Sequence, residues 1–184
     1  MRIKALPLLA AVALIFVAPC GEAQMTASPS SPSTKALAPG ILNREQAAAI
    51  LPATVFFRGQ SATIQGRNSG GVKLPDGKLI LCVVVDTSGY SSALQQTYQA
   101  YLITEAAITI GDQRLPPGAY GFGFVDDNRM VVMDLGGNEI LHATTTRDTT
   151  LARPSPLQVL PDSTTGRFRL YLGRSYVAFG PATN

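Results

Sequence analysis

Between residues 54 and 179 the chain is a succession of short runs rich in Val, Ile, Leu, Phe, Tyr and Thr, each closed by a cluster of Gly, Pro, Asn or Asp. Runs of this length and composition, punctuated in this way, form strands. Strands are expected over 54–58, 62–67, 78–86, 98–104, 106–110, 119–125, 129–134, 139–145, 157–160, 167–172 and 175–179. Asp126-Asp127-Asn128, Gly136-Gly137-Asn138 and Gly173-Arg174 all tolerate the positive φ of tight hairpins. Parallel neighbours need long crossovers, and no helices of ten or more residues alternate with these runs, so the strands must pair antiparallel. The expected fold class is all-β, an antiparallel β-sandwich or small barrel.

One short helix should precede it. Asn43 is an N-cap, Gln46 stands three residues on, and Pro52 ends the run Arg44 to Leu51. Upstream, residues 24–40 are Ser- and Pro-rich with little bulky apolar content, the composition of a disordered tether. Further upstream, Arg2 and Lys4 lead into the apolar stretch Ala5 to Pro19, which has the design of a secretory signal peptide. That stretch is shorter than the ~20 residues of a permanent membrane helix.

Two processing routes follow. Cleavage after Ala23 gives a soluble product beginning at Gln24; Val17-Ala18-Pro19-Cys20 resembles a bacterial lipobox, with lipidation at Cys20. Pro19 departs from the small residue that normally precedes the lipobox cysteine, which favours the soluble route. The expected organisation is a signal peptide over 1–23, a linker over 24–40 and a single β domain over 41–184, located in the periplasm or outside the cell, or anchored to a membrane only if Cys20 is lipidated.

The chain carries 15 Lys and Arg against 12 Asp and Glu, a net charge of +3 that falls to +2 once Arg2, Lys4 and Glu22 are removed. So small an excess disfavours a nucleic-acid partner. With His142 as the single histidine and two cysteines, the chain cannot assemble a four-ligand structural zinc site of the usual type. No cofactor is expected. Cys82 lies within Leu79 to Val85, a setting for an inert buried thiol.

An internal echo is present. Gly70 to Gly77 and Gly111 to Gly118 share G-x-x-(K/R)-L-P-x-G at an offset of 41 residues. Pro presets a turn and Gly accepts conformations other residues avoid, so a duplicated turn is expected at both places. Ile108 to Phe124, Val131 to Gly136, Arg153 to Val159 and Arg169 to Arg174 together resemble a group of uncharacterised exported bacterial proteins. More loosely, G-x-x-L-P-x-G-x-Y leading into a strand is similar to a hairpin of transthyretin-like and carboxypeptidase-regulatory-like domains. That resemblance implies a β-sandwich used for binding or as an accessory module, and it brings no catalytic residues.

Three stretches carry residue types capable of local chemistry. Asp86-Thr87-Ser88-Gly89-Tyr90-Ser91 looks like a D-x-S-x-S cation motif, but Tyr90 occupies the fifth position and Ser91 comes one place late. Gly89 to Ala93 is similar to a nucleophile elbow, with Asp134 and His142 following in hydrolase order, yet an elbow needs a strand-to-helix turn in a parallel sheet. Alternation places His142 with Thr144 on an exposed strand face.

The residues expected to bind ligand are therefore Arg167, Arg169 and Tyr171, which alternation puts on one face opposite Phe168, Leu170 and Leu172, with Tyr176 from the next strand. Arg and Tyr can stack on sugar rings or grip carboxylates. A weaker set is Tyr90, Gln95, Gln96, Tyr98, Gln99 and Tyr101, which could line a groove. The function expected is a non-catalytic binding or cell-envelope interaction module whose partner is a glycan, a peptide or an envelope protein. The alternatives are a lipocalin-like barrel carrying a small ligand and, behind it, a hydrolase using Ser91 or Asp86.

Overall fold

The structure, a computed structural model, describes residues 39–126 and 128–183. The expected signal segment, Cys20, tether residues 24–38 and Asp127 lie outside them.

Among the described residues the elements are β1 (Gly40–Leu42), α1 (Arg44–Ile50), β2 (Thr54–Phe57), β3 (Gln60–Lys73), β4 (Leu79–Val85), α2 (Ser92–Thr97), β5 (Ala100–Thr104), β6 (Ile108–Ile110), β7 (Gln113–Leu115), β8 (Gly118–Val125), β9 (Arg129–Met133), β10 (Glu139–Thr144), β11 (Thr146–Arg147), β12 (Leu157–Pro161), β13 (Phe168–Leu172) and β14 (Ser175–Pro181). They form two antiparallel sheets. The first runs β1-β3-β4-β5-β8-β9-β10, with β2 also paired to β3; the second runs β12-β13-β14-β6-β7, with β11 paired to β14.

The sheets pack face to face as a β-sandwich. Val72, Ile80, Cys82, Leu102, Phe122, Met130 and Val132 of the first sheet meet Ile108, Ile110, Leu157, Val159, Leu170, Val177 and Phe179 of the second. The first sheet also buries its other face. Leu81, Val83, Val85, Tyr101, Val131 and Met133 point away from the sandwich and are covered by Ala47 and Leu51 from α1, Val55 and Phe57 from β2, and Tyr90 and Tyr98. This explains why Leu79 to Val85 and Met130 to Met133 read as continuous apolar runs: both sides of those strands need apolar side chains.

The helix at 44–50 forms with its capping box: the Gln46 amide donates to Asn43 Oδ1 at 2.8 Å and the Asn43 amide to Gln46 Oε1 at 2.9 Å. Elsewhere the fold departs from the sequence expectation. Gly70 to Lys73, expected within a turn, is the last part of β3, and a Cβ on Gly71 would stand 2.5 Å from the Ile80 carbonyl oxygen. Gly here lets two strands approach closely; it does not bend the chain. Gly40, expected to end the tether, opens β1, and β7 and β11 are strands the local pattern did not announce.

The two sheets do not join into a barrel. At one side β7 and β10, the terminal strands of the two orders, are linked by a side chain: Gln113 Nε2 donates to the His142 carbonyl at 2.6 Å. At the other, β3 packs against β12, where a Cβ on Gly70 would touch Val159. The space between the sheets holds the apolar side chains of both inner faces.

Candidate functional site

Three of the four expected ligand residues meet on the outer face of the second sheet. Tyr171 and Tyr176 are cross-strand partners with ring centroids 5.1 Å apart, and the Arg169 guanidinium sits 4.6 Å from the Tyr176 ring centroid. Arg167 does not join them. Its guanidinium turns away to donate to the Thr109 and Gly111 carbonyls at 3.0 and 3.1 Å, tying the end of β6 to the loop before β13.

The cluster is also less open than alternation alone suggests. Arg169 donates to Asp162 Oδ1 at 2.9 Å, and the Tyr171 hydroxyl donates to Asp148 Oδ2 at 2.9 Å. Arg174 adds a bond to the Leu151 carbonyl at 2.8 Å. Tyr171 is only 2% exposed, because the segment carrying Asp148 and Leu151 lies over it. Both carboxyls are held below the ordinary Asp value. For Asp162 the largest cause is the Thr165 hydroxyl, with the Thr164 amide and Arg169 behind it; for Asp148 it is the Thr150 hydroxyl, then Tyr171. Arg169 and Tyr171 thus hold connecting segments in place; Arg169 and Tyr176 are partly exposed, and Tyr171 is buried.

The second expected set does not line a groove. Tyr90, Tyr98 and Tyr101 belong to the aromatic layer over the first sheet, with Tyr98 stacked on Phe57 at 4.0 Å and edge-on to Tyr90 at 5.3 Å. Tyr90 and Tyr101 donate to the Phe57 and Phe56 carbonyls, and Gln95 and Gln99 bond backbone carbonyls. Gln95 and Gln96 lie on the short helix 92–97 and are exposed, whereas the three tyrosines, outside that helix, are buried.

An open groove of about 590 Å³ lies where the echoed motif meets itself. Leu74, Pro75, Asp76 and Lys78 come from the β3–β4 turn, Arg114 and Pro117 from the second copy, and Glu105, Ala106, Ala107, Pro181 and Ala182 complete the lining. The two copies do different structural work. In the first, Leu74 to Lys78 is a hairpin turn, with the Leu74 amide donating to Lys78 O at 2.8 Å and Gly77 at φ +89°. In the second, the turn falls at the start, at Gly111 with φ +58°, while the prolines lead from β7 into β8. Charges in the groove are unevenly matched. Lys78 Nζ bonds Asp76 at 2.7 Å and Glu105 Oε2 accepts from the Leu79 amide at 2.8 Å. The Arg114 side chain is exposed and has no hydrogen-bond or ion-pair partner among the described residues.

No protein-family model matches the chain, and neither a curated protein nor a solved structure does.

The hydrolase residues are dispersed in role. Ser91 caps α2, its Oγ accepting from the Leu94 amide at 3.4 Å. Asp134 holds the hairpin after β9 through the amide and side chain of Asn138, both at 2.9 Å. His142 pairs with Glu139 at 2.8 Å, a contact made by the register shift between Glu139 and Leu141, since residues three apart on a regular strand face opposite ways. Asp86 accepts from the Ser88 amide at 3.0 Å, a local turn bond of the kind Asp favours.

Cys82 is buried and its thiol is pushed up to about 12 by desolvation. Sequence reasoning missed the groove. The echo that builds it was visible at an offset of 41 residues, but not that the two copies face each other.

Proposed function

We propose that this chain is an exported, non-catalytic binding module whose ligand surface is the groove between the two motif copies. The groove itself carries the proposal: an accessible concavity of about 590 Å³, apolar in most of its lining and carrying an uncommitted guanidinium. The filled space between the sheets supports a surface-binding role over carriage of an apolar ligand. Ser91, Asp134 and His142 each serve a separate local bond, which supports a role without chemistry. Export is supported by Arg2, Lys4 and the apolar stretch behind them.

Amide NMR of the full-length protein against a panel of short peptides and oligosaccharides tests the binding surface. Shifts concentrated at residues 74–78, 105–107 and 114–117 are expected. A panel that moves no groove resonance overturns the assignment, as does ester hydrolysis abolished by Ser91→Ala. A native mass spectrum of protein from its own cells tests export: a chain beginning at Gln24, or an acylated Cys20, is expected, and an unprocessed Met1 chain refutes it.

A further inference from the structure

We infer that the groove takes the free C-terminal carboxylate of a partner peptide with small apolar residues, and that Arg114 is the group that recognises it. The inference rests on the groove being the binding surface and adds the ligand class.

Four charged side chains line the groove, and Arg114 is the one with no side-chain partner among the described residues. Lys78 spends one of its three donors on Asp76, and Glu105 accepts from the Leu79 amide. Several backbone donors nearby are committed: Leu74 to Lys78 O, Glu105 to Leu79 O and Ala182 to Ala107 O. Pro75, Pro117 and Pro181 have no N–H to offer. The Arg114 guanidinium, unpaired among the described residues, is therefore the strongest group the lining offers to an anion, and its planar fork matches a carboxylate in bidentate fashion.

The rest of the lining selects what the carboxylate is attached to. Leu74, Ala106, Ala107, Ala182 and the proline rings present short apolar surfaces. Small side chains such as Ala, Val or Pro fit against them, and an extended segment gains from each. The groove is open to solvent, whereas small-molecule sites bury most of their ligand. An open groove with a carboxylate grip suits a chain terminus, which can bind while the rest of the chain remains in solvent.

Fluorescence anisotropy of the full-length protein with a labelled Ala-Pro-Ala-Val peptide, as free acid and as C-terminal amide, tests this. The free acid is expected to bind at least about tenfold tighter than the amide. Arg114→Gln should reduce the difference to within about twofold while leaving the melting temperature unchanged, because the side chain is exposed. Equal binding of acid and amide, with groove resonances still shifting, overturns the carboxylate assignment and leaves the groove as the binding surface. Hexanoate displacing the peptide at equal concentration would assign the site to a free monocarboxylate and overturn the peptide assignment. Binding of neither form, while other panel members move the groove, overturns the inference alone; silence from every ligand overturns the groove as well.

Discussion

The two sheets are built from similar antiparallel ladders but cover their outer faces in opposite ways. The first hides its outer face under α1, β2 and an aromatic layer of Phe57, Tyr90 and Tyr98. The second covers its own with directional contacts: Arg169 to Asp162, Tyr171 to Asp148, Arg174 to the Leu151 carbonyl. An apolar cover tolerates many side chains of suitable volume, but it is close-packed, so added atoms are costly. A polar cover needs particular partners at particular distances and depends on their ionisation.

The largest expected break in this comparison is Gly121→Ala. Its Cβ would stand 2.5 Å from Phe57 Cε2 and 2.9 Å from Tyr98 Cδ2, two rings that have no free side to retreat to. A loss of about 2–3 kcal/mol is expected from urea unfolding, the size of a core overpacking defect. A loss below about 0.5 kcal/mol would show the aromatic cover to be loosely packed.

Tyr171→Phe tests the other face. It removes the hydroxyl bond to Asp148 and is expected to cost about 1 kcal/mol, a typical net hydrogen-bond contribution. Acid should separate the sheets more sharply. Asp148 and Asp162 have folded-state values below the ordinary 3.8, so their stabilisation is complete above 3.8 and is lost as the pH falls through the folded values. Hydrogen exchange between pH 5 and pH 2 should show protection declining at residues 168–172 before residues 81–85. Simultaneous decline would mean that the polar cover contributes nothing local.

A smaller effect with the opposite sign is expected at Tyr98. Its hydroxyl is buried without a hydrogen-bond partner among the described residues, so Tyr98→Phe removes an unpaired polar atom and leaves the stack on Phe57 in place. Thermal melting should show stabilisation of up to about 1 kcal/mol; destabilisation would reveal a partner for the hydroxyl. Least of all should happen at Cys82. With its thiol buried and pushed up to about 12, it should not react with a disulfide reagent until the protein unfolds. Labelling of the native protein would show the sandwich opening locally.

Much of the strand inventory was legible because it is written locally. The runs at 54–58, 78–86, 119–125 and 129–134 correspond to β2, β4, β8 and β9 with ends shifted by a residue or two, and Asn43 with Gln46 announced α1. What misled was glycine. Gly70 and Gly71 look like a turn in sequence, yet they sit in β3 because β4 presses against them. Short strands such as β7 lack the length for a periodic signal, and β1 is a strand only because β3 lies beside it.

Site residues divided in the same way. Alternation correctly put Arg169, Tyr171 and Tyr176 on one face, but it has no means of seeing Asp162 from the β12–β13 connection and Asp148 from 23 residues upstream arrive to occupy them.

The sequence alone determined the antiparallel all-β character, the one well-capped helix, the turn chemistry and the repeated motif, because each depends on residues within a few positions of one another. The tertiary structure alone decided sandwich over barrel, the double burial of the first sheet, the engagement of the Arg and Tyr cluster, and the meeting of the two motif copies around one groove. Those outcomes depend on which surfaces find each other beyond the reach of the local pattern, and the apolar attraction that brings the sheets together is non-directional and carries no address in that pattern.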